Sequence, residues 1–226
     1  MAGAVPDKIL TPLGGRPVFT HSLGAMAQAT ALAGIIISYR DSAQMMRLLS
    51  LAASFPQLPT LGWAQGGETR MDSVANALAV LPREATAVVI HDAARPFATA
   101  DAFRTIAARA ADSQCATIAR RVTDTIKRVG QAEARAVAPF STELEDLERN
   151  RLWAMETPQG FPRAILEAAY RQRGDQPHWT DDTAAVASVG QTVTVVELPS
   201  PNPKLTTTQD LEFAEWLIEK TSDNEA

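Results

Sequence analysis

At 226 residues, the chain is long enough to bury a sizeable core and suits one large α/β domain, or one domain with an arm. A formal net charge of −5 argues against a general nucleic-acid surface, yet leaves room for a locally basic pocket that takes a phosphorylated small molecule. The single cysteine, Cys115, excludes an intrachain disulfide framework; with no apolar run near 18 residues and no signal peptide, the expectation is a cytoplasmic protein without membrane or nucleic-acid partners.

The chain opens without a strand through Lys8, then turns at Gly14-Gly15-Arg16-Pro17 into a helix over about 18–30. Ile35 to Tyr39 is a β-branched run that predicts a strand, Ser42 to Ser54 an amphipathic helix capped by Asp41 or Ser42, and Thr60 to Ala64 a weaker strand. Gly66-Gly67-Glu68-Thr69-Arg70 leads to a helix predicted over Ser73–Leu81. A glycine pair there lets backbone amides approach a ligand closely, although such a pair is more often a plain turn.

Ala87-Val88-Val89-Ile90 reads as a buried strand of a parallel sheet. Ligands of open α/β sheets bind just past the carboxyl ends of such strands, which makes Asp92 and Arg95 candidate site residues. A solvated ion pair at a strand end is the plainer alternative. Pro96 stops the strand, and Thr99 caps a helix to Asp112. The run 116–122 predicts another strand, with Cys115 as a buried structural thiol.

Residues 130–151 carry many charges and no period. A structureless loop longer than about 15 residues is uncommon inside a compact domain, so this segment is read as a projecting arm. Leu152 to Phe161 returns as a strand and turn, and 162–172 is a helix. Thr180-Asp181-Asp182 caps the next helix, to about Val189; capping alone would explain these acids. Thr192 to Leu198 alternates as a late strand, and Pro201-Asn202-Pro203-Lys204 leads to a last helix over Leu211–Glu219. Lys204, just past a strand end, is placed to meet an anion, though a solvated lysine is the commoner case.

Seven stretches occur in the order and spacing of a known family: Gly66 to Val74, His91 to Phe97, Asp124 to Lys127, Arg149 to Trp153, Thr157 to Phe161, Thr180 to Asp182, and Asn202 to Thr206. The chain resembles the 2-C-methyl-D-erythritol 4-phosphate cytidylyltransferases, with the ribitol-5-phosphate cytidylyltransferases as the alternative. The resemblance implies a Rossmann-like nucleotidyltransferase α/β sheet with helices on both faces, in one domain over 1–226. It also implies a homodimerisation arm at about 128–152. The implied reaction joins CTP to a polyol phosphate and releases pyrophosphate, with Mg²⁺ carried on the CTP phosphates and no metal site built by the protein alone. Catalysis is then mostly positioning and charge neutralisation.

By the same resemblance Lys8, Arg149 and Lys204 are the catalytic cations. Gly66, Gly67, Glu68, Ser73, Asp92, Ala93 and Arg95 are expected to hold the nucleotide. Asp92, Arg149, Thr157, Thr180 and Lys204 are expected to hold the polyol phosphate, with Arg149 and Thr157 reaching it from the partner subunit. Family members begin with an apolar strand and a Gly-rich loop of the type Ala-Ala-Gly-x-Gly-x-Arg-Met, and Met1 aligns with the methionine that ends the loop. Loss of that strand should remove core burial and backbone pairing. An upstream start explains this better than lost CTP turnover, because the other site positions are intact. A noncatalytic sugar-phosphate binder is the competing reading. An NAD-dependent dehydrogenase is disfavoured by the lack of a Gly-x-Gly-x-x-Gly fingerprint after a strand.

Overall fold

The computed structural model describes residues 7–29, 32–131, 137–172 and 179–224. The opening 1–6 therefore lies outside the described residues, and Asp7 to Leu10 form a turn. A two-residue ladder follows, β1 (Pro12–Leu13) with β2 (Arg16–Pro17), and then α1 (Val18–Ala29). β3 (Gly34–Tyr39), α2 (Ser42–Ala52) and β4 (Thr60–Gln65) come next, with the Asp41 side chain accepting from the Gln44 N–H as the α2 cap.

α3 (Arg70–Ala79) starts three residues before the predicted Ser73. The reason is a capping box: the Thr69 hydroxyl accepts from the Asp72 N–H while the Asp72 carboxylate accepts from the Thr69 N–H. β5 (Ala87–Ile90), α4 (Ala100–Ala111, capped by Thr99) and β6 (Cys115–Arg121) fall where the sequence places them. β7 (Lys127–Val129) and β8 (Leu144–Asp146) form an antiparallel hairpin within the predicted arm, tied by the Arg128–Glu145 ion pair at 2.7 Å.

β9 (Trp153–Pro162) is one ten-residue strand, without the turn expected within Leu152 to Phe161. It runs antiparallel between β5 and β6, so hydrogen bonding from both neighbours outweighs the local turn propensity. Gly160 is needed there because a Cβ would stand 2.7 Å from the Ile106 carbonyl oxygen on α4. α5 (Arg163–Arg171), α6 (Asp182–Ser188), β10 (Val193–Glu197) and α7 (Thr208–Asn224) complete the chain. α7 is longer at both ends than the pattern Leu211–Glu219 predicts.

The main sheet has the order β10-β6-β9-β5, and β3-β4 forms a separate parallel pair. The sheet is thus mixed, where β5 had been expected in a parallel one. β5 and β6 still point the same way, because each is antiparallel to β9. Helices cover both faces. Val88 and Ile90 pack with Leu78, Phe161 and Leu166 on one face, while Val89 packs with Ile106, Ile118 and Phe103 on the other. Phe161, Leu166, Ile106, Ile118 and Phe103 are fully buried here, each contributing roughly 1.5–3 kcal/mol, which makes the strand ends a firm platform.

The two sheets are joined by helices rather than by a strand. Phe19 and Leu23 of α1 pack on Ile37 of β3, and Ala25 and Met26 of the same helix pack beside Val89 of β5. On the opposite face α3 lies against β3 and β4 and sends Val74 and Leu78 to Val88 and Ile90. Among the described residues no strand pairs with the second edge of β3 or of β5, and all four β5 residues stay partly exposed. The strand expected to be buried at Ala87–Ile90 is therefore paired on one side only among the described residues. No helix among the described residues is long and apolar enough to cross a membrane.

Candidate active site

β4 and β5 end at the same edge of the molecule, since Arg70, just past β4, reaches Asp92, just past β5. Asp92 is the centre of a cleft that Arg70, Arg95, Thr157, Thr180 and Lys204 also line. Its Oδ1 accepts from Arg70 Nε at 3.0 Å and its Oδ2 from Lys204 Nζ at 2.6 Å. Its backbone N–H donates to the Thr157 hydroxyl at 3.0 Å. Burial alone would raise the Asp92 pKa, but the Arg70 and Lys204 charges outweigh it and hold the carboxyl at about 2.

Arg70 has a second carboxylate. Its NH1 lies 2.7 Å from Oδ2 of Asp182, whose side chain is fully buried at the start of α6. Tyr170 donates to the other Asp182 oxygen at 2.6 Å. Burial disfavours the Arg70 charge, yet Asp182 and Asp92 together raise its pKa further above the usual arginine value. Neighbouring Asp181 caps α6 through the Ala184 N–H and accepts from Gln159 Nε2, which ties α6 to β9.

The loop after β5 is braced against the loop before α7. Arg95 NH1 donates to the Asn202 carbonyl at 2.7 Å, the Leu205 N–H donates to the Ala94 carbonyl at 2.8 Å, and Asn202 Nδ2 donates to the Thr157 carbonyl at 2.9 Å. Lys204 is thereby fixed in its backbone between two anchored residues. Glu156, almost fully buried, stands 3.2 Å from Arg120 and 3.9 Å from Arg95; burial pushes its carboxyl pKa up. His91 is held between Ser22 and the Thr157 hydroxyl, each at 3.1 Å, and burial lowers its pKa to about 4.

The glycine loop after β4 is closed on itself. The Gly66 N–H donates to the Tyr39 carbonyl, and Ser73 Oγ accepts from the Gly67 N–H while donating to the Thr69 carbonyl. A Cβ on Gly67 would come 2.2 Å from that of Asp72, so only glycine lets the loop fold over the start of α3. Glu68 is exposed at its tip.

The structure thus brings together Asp92, Arg95, Thr157, Thr180 and Lys204, with Gly66, Gly67, Glu68 and Ser73 on the neighbouring loop. Ala93 packs with Ile9 and Leu10, which sets the Lys8 turn beside the end of β5. Lys8 itself forms no ion pair among the described residues. Arg149 does not line this cleft; it sits in a short 3-10 turn after the hairpin, its guanidinium donating to the Thr123 carbonyl at 2.9 Å. The Thr157 hydroxyl is bonded to Asp92 of its own chain. Sequence reasoning assigned no site role to Arg70, Asp182, Glu156 and Asn202; Arg70 had a local signal in the Thr69-x-x-Asp72 capping pattern, and Asp182 and Asn202 lay inside motif stretches, whereas Glu156 had none.

An acid held between cations at the carboxyl ends of strands, in a mixed sheet covered by helices, defines the chain as a Rossmann-like α/β protein with a charged cleft at the strand ends. A family model described as 2-C-methyl-D-erythritol 4-phosphate cytidylyltransferase matches residues 1–220. The chain belongs to that family, and it is a cytidylyltransferase. A curated 2-C-methyl-D-erythritol 4-phosphate cytidylyltransferase of Gloeobacter violaceus is 38% identical over 220 residues, 96% of this chain and 90% of that protein. A bifunctional enzyme IspD/IspF of Solidesulfovibrio magneticus is also 38% identical, over 93% of this chain but only 51% of its own length, so the chain spans about half of that relative. Among solved structures, the 2-C-methyl-D-erythritol 4-phosphate cytidylyltransferase of Thermus thermophilus superposes with a TM-score of 0.73 at 26% identity, over 95% of each chain. That of Francisella tularensis gives 0.73 at 27%, over 94% of this chain and 93% of the other.

Proposed function

We propose that the cleft around Asp92 transfers the cytidylyl group of CTP to 2-C-methyl-D-erythritol 4-phosphate, releasing pyrophosphate, as a step of isoprenoid precursor synthesis in the cytoplasm. The observation that carries this reading is the Asp92 carboxylate held between Arg70 and Lys204, with Arg95 and Thr180 on the same cleft. Two phosphate-bearing anions must approach one another here: an oxygen of the acceptor phosphate attacks the α-phosphorus as its bond to the pyrophosphate oxygen breaks. The protein need form no covalent bond. Its task is to align the two and offset their repulsion.

Lys204 and Lys8 supply positive charge to the reacting phosphates, Lys204 from the loop pinned between Asn202 and Leu205. The loop Gly66-Gly67-Glu68 with Ser73 takes the nucleoside end, and Ala93 and Arg95 take the phosphate side. Thr180, exposed on the rim, takes the acceptor, while Thr157 supports Asp92 from below. No three His, Cys, Asp or Glu side chains among the described residues form a metal-binding group. A single carboxylate, Asp92, fits a Mg²⁺ carried on the CTP phosphates, because that ion keeps most of its water and takes one or two carboxylates beside phosphate oxygens. When bound, the ion neutralises charge that develops on those oxygens.

The arm supports a homodimer as the working unit. Arg149 lies away from its own chain's cleft, and Ile126, Val137, Phe140 and Leu144 are exposed apolar residues on or beside the hairpin. A second copy would cover them and receive Arg149 at its acceptor site. The reading is tested by pyrophosphate release with CTP, Mg²⁺ and methylerythritol phosphate, with ribitol 5-phosphate in parallel. Turnover with methylerythritol phosphate is expected. Turnover with ribitol phosphate alone moves the assignment to the sister class, and release with neither overturns it.

A further inference from the structure

Both oxygens of Asp92 are occupied, but by partners of different kinds. Arg70 is half-buried, is held at its other end by a carboxylate with no exposure at all, and spans the start of α3, the end of β5 and the start of α6. Its planar fork meets two carboxylates at once in a preorganised geometry, whereas an ammonium on a flexible stem must order itself to do so. Asp182 is in turn held by Tyr170. Arg70, Asp182 and Tyr170 stand on helices and Asp92 just past a strand end, so each member is set on or beside a regular element; the Arg70–Asp182 contact is an ion pair rather than a well-aligned hydrogen bond. Lys204, by contrast, reaches Asp92 Oδ2 with the tip of a flexible four-carbon stem, and 38% of its side chain is exposed.

We propose that Arg70 is a positioning residue that clamps Asp92 through Oδ1 to the buried Asp182, and that Lys204 is the exchangeable partner that leaves Oδ2 when substrates arrive. The exchange rests on the cytidylyltransferase reading of the cleft; the clamp does not. A lysine bonded to Asp92 is not free for a phosphate, and an Asp92 oxygen bonded to Lys204 is not free for a metal-nucleotide or a substrate hydroxyl. Drawing the two apart favours both ligands together, and such a coupling is reciprocal: whichever ligand comes first prepares the site for the other. The clamp is what makes the exchange useful, because it keeps the carboxylate in place after Lys204 has gone.

Two measurements test this. The first uses the ligand-free protein with ¹⁵N-labelled arginine, the Arg70 side-chain signal being assigned by its loss in Arg70→Lys. A slowly exchanging Arg70 Nε–H, unchanged on addition of inorganic pyrophosphate and Mg²⁺, is expected. Rapid exchange in the free protein overturns the clamp. The second compares Arg70→Met/Asp182→Asn with Asp182→Asn alone, since the double change removes the clamp without leaving a buried charge. Melting temperatures within a few degrees of one another are expected, with kcat at least tenfold lower in the double variant and KM for CTP within about threefold. Equal kcat in the two overturns the proposal, as does full kcat in Arg70→Lys. Absence of turnover in the unsubstituted chain would count against the functional reading, and the first measurement would still decide the clamp.

Discussion

The loop after β5 and the loop after β4 end strands at the same edge of the molecule, yet they are built in opposite ways. The first is cross-braced by distant segments: Asp92 by Arg70, Thr157 and Lys204, Ala94 by Leu205, and Arg95 by Asn202. The second bonds chiefly to its own neighbours, through Ser73, Thr69 and Asp72, and leaves Glu68 in solvent. A braced loop can hold a charge in place before any ligand arrives, because each partner is itself fixed. A loop closed on itself presents a shape and gains its remaining contacts from the ligand.

The sharpest way to break this contrast is Asp92→Asn, which leaves Arg70 and Lys204 facing a neutral amide. A fall in kcat/KM of about 10²–10³ is expected in steady-state pyrophosphate release, the scale of losing a preorganised charged group. An effect below tenfold would place the chemistry elsewhere. Lys204→Ala should cost well over tenfold in turnover, and so should Arg149→Ala. The two are told apart by mixing these variants: exchange of subunits should restore part of the activity only if Arg149 acts across a dimer. Normal kinetics in either variant would remove its role.

A stability measurement probes the braced side without substrate. The His91 pKa is depressed in the folded chain to about 4, against about 6.5 when unfolded. The unfolded chain therefore binds the extra proton first, and stability is lost as pH falls from about 6.5 toward 4. Asp92, depressed to about 2, continues the loss below about pH 4. Urea midpoints should drop by the equivalent of about 2 kcal/mol between pH 7 and 4.5, and His91→Gln should flatten that slope. The smallest effect is expected on the open loop, where Glu68→Gln should raise KM for CTP only a few-fold and leave the urea midpoint unchanged. A change in stability there would show the loop to be braced after all.

Much of this was legible in the sequence because its signals are local. Capping residues Asp41, Thr99 and Asp181, the β-branched runs Ile35–Ile37 and Val88–Ile90, and the punctuation at Pro96 act within a few residues of themselves. The motif order further indicated the family and the positions of Asp92, Arg95, Thr180 and Lys204. The miss at Ser73 was a local one, since the Thr69-x-x-Asp72 box was readable. The turn expected within β9 failed for another reason: Pro158 and Gly160 favour turns by themselves, and only pairing with β5 and β6 overrides them.

What the tertiary structure alone decided are the pairings between residues far apart in the chain. Lys204 meets Asp92 across 112 positions, and Asn202 meets Arg95 across 107. Neither spacing carries a pattern, because charge partners are chosen by where strands and helices end. The sequence determined by itself where the elements form and which chemistry the chain can offer, since propensity, capping and motif spacing are properties of neighbours. The fold decided that Asp92 meets one cation tied to a buried carboxylate and one on a partly exposed stem, and that β5 pairs on a single edge among the described residues. Those outcomes depend on which elements pack side by side, and no local rule reads that.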